Sequence, residues 1–373
     1  MGRVGAPCWW RDALYYYVAI MLIGSTRTVF LGLTVATAMA PTIQYVGGQR
    51  VLWTPCANSN GNNLGEKSEG QESKNPPVVV LGGMAQSIES WEHHIPALSQ
   101  SRSVLLYEGR GQGPPVPPEH LPSSPAEDFW KDVSLPAQAS YLIRTLEDLN
   151  IISQKTGTAD VCVDLVGFSL GGRIAMATAL LYPDRVRKLH LTGVAMDRSP
   201  LGHLTVASWK DHVDAALRLH DEPSLALRSF AWSVLLATYA PSTLQSWHQQ
   251  GKLSSILDFV SKNNTPEGLA ALLEQTHGGS FSIGTDSEEQ REDEDEWSTQ
   301  AMSRRLAKRQ PLIQGHACVG SLDQYMAPVS QVEALCQVLG WKDSPLVLEG
   351  CGHAAPMEQP RLWRNHVLAF LDG

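Results

Sequence analysis

The stretch that most constrains this chain is Gly167-Phe168-Ser169-Leu170-Gly171-Gly172. It follows the apolar run of residues 161–166 and opens a helix-prone segment, residues 173–181. Strand, then G-x-S-x-G, then helix is the context in which this pattern has a physical meaning: a tight turn that lifts a serine hydroxyl above a sheet edge. Glycine at 167 and 171 removes the Cβ atoms that would clash as the chain doubles back. The helix that follows points its N-terminal amides, and the positive end of its dipole, at the place where negative charge would develop.

A nucleophilic serine needs a base, an acid that orients the base, and donors for an oxyanion. The chain supplies all three in the order Ser, Asp, His. Of its twelve histidines, His353 follows an apolar run at 345–348 and precedes a final helix-prone segment, residues 360–371. A base is needed on the loop after the last strand. His93 and His94 read instead as the surface of a helix. Asp323 closes the second-to-last strand and is the expected acid. Its rival is Asp197, whose plainer reading is a helix cap or an ion pair with Arg198. The donors are expected to be backbone amides. One is that of Leu170; the other is that of Met84, with Ala85 as second choice, in the Gly82-Gly83-Met84-Ala85 loop after the strand of residues 77–81.

These pieces, with Tyr107-Glu108-Gly109-Arg110-Gly111-Gln112-Gly113, Gly320 to Asp323 and Gly352-His353, resemble the α/β-hydrolase fold superfamily of lipases and esterases. They are spread over residues 43–373. The resemblance implies a mostly parallel central sheet flanked by helices, with a helical cap after the sixth core strand. It also implies carboxyl-ester hydrolysis by Ser169, His353 and Asp323, without cofactor or metal. Two positions depart from the pattern: the oxyanion-loop His is Gly82, and the Asp after the next strand is Glu108. Within the superfamily, Ser169 to Met176 is similar to the elbow of the menaquinone-pathway synthase that eliminates pyruvate to form a cyclohexadiene carboxylate. That likeness implies a substrate-binding role for Arg173 and for Phe168, which stands where that family has Tyr. A triad-dependent lyase is therefore the alternative chemistry, and a non-catalytic binding protein on the same fold is a third reading.

The rest of the sequence sets the frame. Its 373 residues suffice for one large α/β domain with insertions. The formal charge of −9 is concentrated in the acidic run 286–296, which reads as a solvated insert. What remains is nearly balanced and offers no basic footprint for nucleic acid. The six cysteines show no metal spacing, and Cys162 and Cys318 read as small hydrophobes in core strands. The apolar segment 1–41 reads as a membrane anchor or as an organellar or secretory presequence, with the remainder in a reducing compartment. The expected organisation is 1–41, core 42–196 with a loop at 57–75, cap 197–309, and core 310–373. Strands are expected at 42–46, 50–54, 78–81, 104–107, 161–166 and 186–191, and a helix over 129–150. The expected partner is a small-molecule acyl substrate.

Overall fold

The computed structural model describes residues 42–57, 75–121, 131–153, 162–219, 222–276 and 296–373. Residues from Pro41 on form one compact unit. The segment 1–41, loop residues 58–74 and all but the last residue of the acidic run lie outside the described residues.

Eight strands make one sheet in the order β1-β2-β4-β3-β5-β6-β7-β8. They are β1 (Ile43–Val46), β2 (Gln49–Thr54), β3 (Val78–Leu81), β4 (Val104–Tyr107), β5 (Val163–Phe168), β6 (Val186–Thr192), β7 (Gln314–Gly320) and β8 (Leu346–Leu348). β1 and β2 pair antiparallel, as do β2 and β4; every other pairing is parallel. Strands β3 and β4 are apolar throughout because helices cover both faces. Alternation still sorts the side chains. Val79 and Leu81 join one buried cluster, while Val78 and Val80 join the other.

The longer helices are α1 (Leu135–Asp148), α2 (Leu170–Leu181), α3 (Pro200–Arg218), α4 (Pro223–Thr238), α5 (Pro241–Gln249), α6 (Leu253–Lys262), α7 (Pro266–Thr276), α8 (Thr299–Ala307), α9 (Val329–Leu339) and α10 (Pro360–Asp372). On one face, Leu142 and Leu146 of α1, Ile174 of α2, Met302 of α8 and Leu335 of α9 close over the sheet. On the other, Trp363, Val367 and Leu371 of α10 pack with Trp91 and Ile95. Helices α3 to α8 all fall between β6 and β7. Val206 and Trp209 of α3, Phe230 of α4 and Leu269 and Leu273 of α7 share a core of their own.

Local departures from the sequence reading have local causes. Helix α1 begins at Leu135, not near 129. Pro136 is tolerated only in a first turn, so it sets the start and Ser134 becomes the N-cap. β5 runs on to Phe168, because Gly167 and Phe168 still pair with Leu191 and Thr192; Cys162 falls just before the strand rather than inside it. His94 is buried, not on a helix surface. Its ring meets Trp363 edge-on at 4.7 Å and lies 5.4 Å from Trp91. A side chain with an apolar ring face can fill such a gap, and sequence pattern alone does not reveal it. No helix among the described residues is long and apolar enough to cross a membrane.

Candidate active site

Ser169 joins β5 to α2 with φ 51° and ψ −115°, a left-handed backbone that a non-glycine residue adopts only when its surroundings impose it. Those surroundings are visible. The Ser169 amide donates to the Thr192 carbonyl at the end of β6. A Cβ on Gly171 would stand 2.2 Å from the Leu81 carbonyl oxygen and 2.5 Å from that of Gly82. The elbow is thus pressed onto the end of β3, and only glycine permits it. The second elbow glycine is needed for a different neighbour: a Cβ on Gly167 would lie 2.4 Å from the Cα of Gly172.

The loop after β3 is packed by aromatic rings. A Cβ on Gly82 would lie 2.8 Å from the Trp91 indole nitrogen, and one on Gly83 would lie 2.8 Å from the Phe168 ring. Trp91 therefore crowds the position where the superfamily carries histidine, which gives a physical reason for Gly82. Gln86 Oε1 accepts from the Gly83 amide, and the Asn264 side chain donates to the Ala85 carbonyl, fixing the turn from both sides. Ala85 itself has φ 62°. Among the described residues, neither the Met84 nor the Leu170 amide has a hydrogen-bond acceptor. Leu170 is the first residue of α2, so its amide has no acceptor within the helix.

Asp323 and His353 meet across the loops after β7 and β8. His353 Nδ1 lies 2.5 Å from Asp323 Oδ2, with both side chains buried. The other carboxylate oxygen, Oδ1, accepts from the Met326 and Ala327 amides at 3.1 Å each. An acid placed this way is held on both oxygens and cannot swing away from the imidazole. The His353 ring edge sits against Gly193, which follows Thr192, and its ring lies 5.0 Å from that of Phe168. Phe168 precedes Ser169 and Thr192 holds its amide, so the structure brings Ser169 and the Asp323–His353 pair into one neighbourhood. Asp197 is elsewhere. It is exposed, accepts from the Arg198 amide and pairs with His203 at 3.0 Å.

Arg173 and Phe168 point to other partners. Arg173 Nη1 donates to the Thr276 carbonyl and Nη2 to that of Trp297 at 3.2 Å. The guanidinium thus ties α2 to the end of α7 and to the approach to α8. Phe168 is buried between Gly83, Trp91 and His353. Arg110 braces its own turn. Gln138 bonds both its amide and its carbonyl, and its guanidinium lies 3.3 Å from the centre of the Tyr141 ring. Glu108 receives Arg50 Nη1 on both oxygens and the Ile88 amide. Its burial pushes the carboxyl up to about 7, opposed by the Arg50 charge.

One contributor was not legible in the sequence. Glu358 accepts from the Gly352 amide at 2.6 Å, the Ala240 amide at 2.9 Å and the Thr243 hydroxyl at 2.6 Å. One carboxylate therefore joins the His353 loop to the junction of α4 and α5. Gly320, named with Asp323 in the sequence, has a packing reason to be glycine, since a Cβ there would lie 2.0 Å from the Gly352 carbonyl oxygen. Cys351 is a packed thiol, pushed up to about 12 by burial, with the Glu358 charge acting in the same direction.

A family model described as alpha/beta hydrolase fold matches residues 76–225, the part that carries β3, the elbow and the start of the helical segment. The enol-lactonase from Burkholderia xenovorans LB400 superposes with a TM-score of 0.57 at 19% identity, covering 88% of this chain and 100% of that one. The chain is an α/β-hydrolase-fold protein. It is 25% identical over 205 residues to pyrrolizixenacetamide deacetylase of Xenorhabdus hominickii, which covers 54% of this chain and 65% of the relative. It is 27% identical over 177 residues to the sn-1-specific diacylglycerol lipase ABHD11 of Xenopus tropicalis, covering 46% of this chain and 48% of the relative. The chain thus spans about half to two thirds of the length of these hydrolase relatives.

Proposed function

We propose that this protein is a serine hydrolase that cleaves a carboxyl ester of an apolar acyl substrate, with Ser169 as nucleophile, His353 as base and Asp323 as orienting acid. The observation that carries the reading is the buried 2.5 Å contact between His353 Nδ1 and Asp323 Oδ2, set beside the constrained backbone of Ser169. A proton on Nδ1, held by Asp323, leaves the Nε2 lone pair to take the proton of the Ser169 hydroxyl as its oxygen attacks the acyl carbon. The Leu170 and Met84 amides receive the oxyanion that forms. His353 then gives its proton to the departing alcohol. Water, activated by the same imidazole, releases the acid and restores Ser169.

An apolar substrate fits what surrounds this site. Ala85, beside the proposed oxyanion amide, is buried among Trp209, Phe230, Leu269 and Met326. Helices α3 to α7 serve, in this reading, as a cap that excludes water from the acyl-enzyme and selects the acyl chain. The names of the deacetylase and lipase relatives agree with acyl chemistry. A lyase acting on a dianion would want Arg173 free to receive a carboxylate. Its bonds to the Thr276 and Trp297 carbonyls favour the hydrolase instead.

The test is a fluorophosphonate serine probe on the full chain. Wild type should be labelled and Ser169→Ala should not, with ester turnover falling by ~10⁵-fold or more in the variant. Equal labelling of both proteins, or unchanged turnover, would remove Ser169 from the reaction.

A further inference from the structure

Away from the Ser169, Asp323 and His353 set, three histidines from distant parts of the chain converge. His190 on β6 and His316 on β7 are register partners across the parallel pairing, and His366 reaches them from α10. One ring nitrogen of each lies within 4.8 Å of the other two. His366 Nε2 is 3.0 Å from His316 Nδ1. The His316 and His366 rings meet edge to face at 4.5 Å, and His190 lies 5.6 Å from His366.

Packing alone explains this group poorly. His190 is wholly buried, yet its Nε2 has no hydrogen-bond partner. A buried polar atom left so costs about 1–3 kcal/mol, which a leucine or phenylalanine in the same place would not. Its Nδ1 faces the Thr192 hydroxyl at 3.5 Å, and that hydroxyl is itself fixed by the Trp363 indole at 2.9 Å. Donation of Nδ1–H to an oxygen, leaving the Nε2 lone pair for a cation, is the arrangement that orients metal-bound histidines. Phe370 walls the group at 5.9 Å from His190 and 6.0 Å from His316.

We propose that His190, His316 and His366 form a three-histidine site for a divalent transition cation of the Zn²⁺ class, clamping α10 onto strands β6 and β7. Three imidazoles without a carboxylate or thiolate suit Zn²⁺ and its neighbours and not Mg²⁺ or Ca²⁺. Zn–N bonds of about 2.0–2.1 Å in a tetrahedral site place ligand nitrogens about 3.3 Å apart. His316 Nδ1 and His366 Nε2 stand 3.0 Å apart, the three ligand nitrogens all lie within 4.8 Å of one another, and His366 is half-exposed on its helix. A water would complete a tetrahedral set.

The test uses tag-free full-length protein, stripped with chelator and titrated with Zn²⁺ alone, with metal content measured by mass spectrometry and melting followed in parallel. One equivalent should bind and raise the melting temperature. Co²⁺ in its place should show the visible bands of a tetrahedral site. His316→Gln and His366→Gln should each weaken binding by about 100-fold or more, while His203→Gln on the surface leaves it unchanged. His366 is half-exposed, so its variant is the one expected to keep the fold, and equal fluorophosphonate labelling of Ser169 checks that it does. Absence of stoichiometric Zn²⁺ in wild type, or equal affinity in the His366→Gln protein, overturns the site. Neither result bears on the hydrolase reading, because no group of the two sets is shared.

Discussion

The strand-end loops around Ser169 and the helical segment between β6 and β7 are held by different means. In the loops, backbone meets backbone. Gly171 is pressed on the Leu81 and Gly82 carbonyls, the Ser169 amide is bound by Thr192, and the Gly193 amide is bound by Cys318. The polar links from the helical segment to these loops, by contrast, run largely through individual side chains, beside backbone bonds from Ala354 to the Thr238 carbonyl and from Ser199 to the Tyr325 carbonyl. Asn264 reaches the Ala85 carbonyl, Arg173 reaches Thr276 and Trp297, and Glu358 reaches Ala240 and Thr243. Backbone contacts leave no rotamer to adjust, whereas a side-chain tether can be exchanged. The difference teaches that reaction geometry is built into the sheet, and that the surface facing a substrate can change without disturbing it.

Four measurements would break or sharpen that contrast. The largest effect after loss of the serine itself is expected at Asp323. Asp323→Asn keeps the shape but presents His353 with the wrong hydrogen-bonding partner, so ester turnover should fall about 10³–10⁴-fold with melting nearly unchanged. A fall of less than tenfold would show that another group orients the imidazole. Gly171→Ala comes next. The added methyl meets two carbonyl oxygens inside 2.6 Å, and the protein should lose about 3 kcal/mol or more of stability in denaturant titration. Full stability in that variant would mean that the elbow is not rigidly backed by β3.

Glu358→Gln tests the other region. It weakens three bonds between the His353 loop and the α4–α5 junction and should cost about 1–3 kcal/mol. Preference among acyl chain lengths should move more than the rate of fluorophosphonate labelling; the opposite pattern would make Glu358 part of the reaction geometry. The smallest effect concerns pH. Burial holds His94 well below its ordinary range, with the His93 and Arg364 charges acting in the same direction. Below the unfolded value near 6.5 the unfolded chain therefore binds more protons than the folded one, and stability rises with pH up to that value. Melting temperature should therefore fall as pH drops below 6.5. His94→Gln should flatten the fall, and a flat profile in wild type would place His94 in water.

The residues proposed for this site could be named before the fold was known, because the patterns that mark them are local. The elbow needs glycines two positions either side of one serine, and the loop glycines at 82 and 83 follow the apolar run Val78 to Leu81. The acid and base each close an apolar run near the C-terminus. Legibility ended where contacts cross long stretches of chain. The reading of His94 as surface-facing failed because the ring is held by Trp363, almost at the other end of the described unit. The start of α1 was misplaced by a stretch of residues that Pro136 excludes from a helix interior. Glu358 carries no signal that distinguishes it from any other acid on a helix end.

Short-range rules of chain geometry are written in sequence. Apolar runs, glycine where backbone must approach backbone, and the order Ser, Asp, His were enough to determine the α/β-hydrolase fold and the residues proposed for its chemistry. Only the tertiary structure decided what meets what across the chain. It bonded Asp323 to His353, left Asp197 on the surface, and drew Arg173 onto the Thr276 and Trp297 carbonyls. It also set His190 beside His316 and His366. Such pairings depend on strand register and helix packing, which bring together residues whose separation in sequence carries no information about their separation in space.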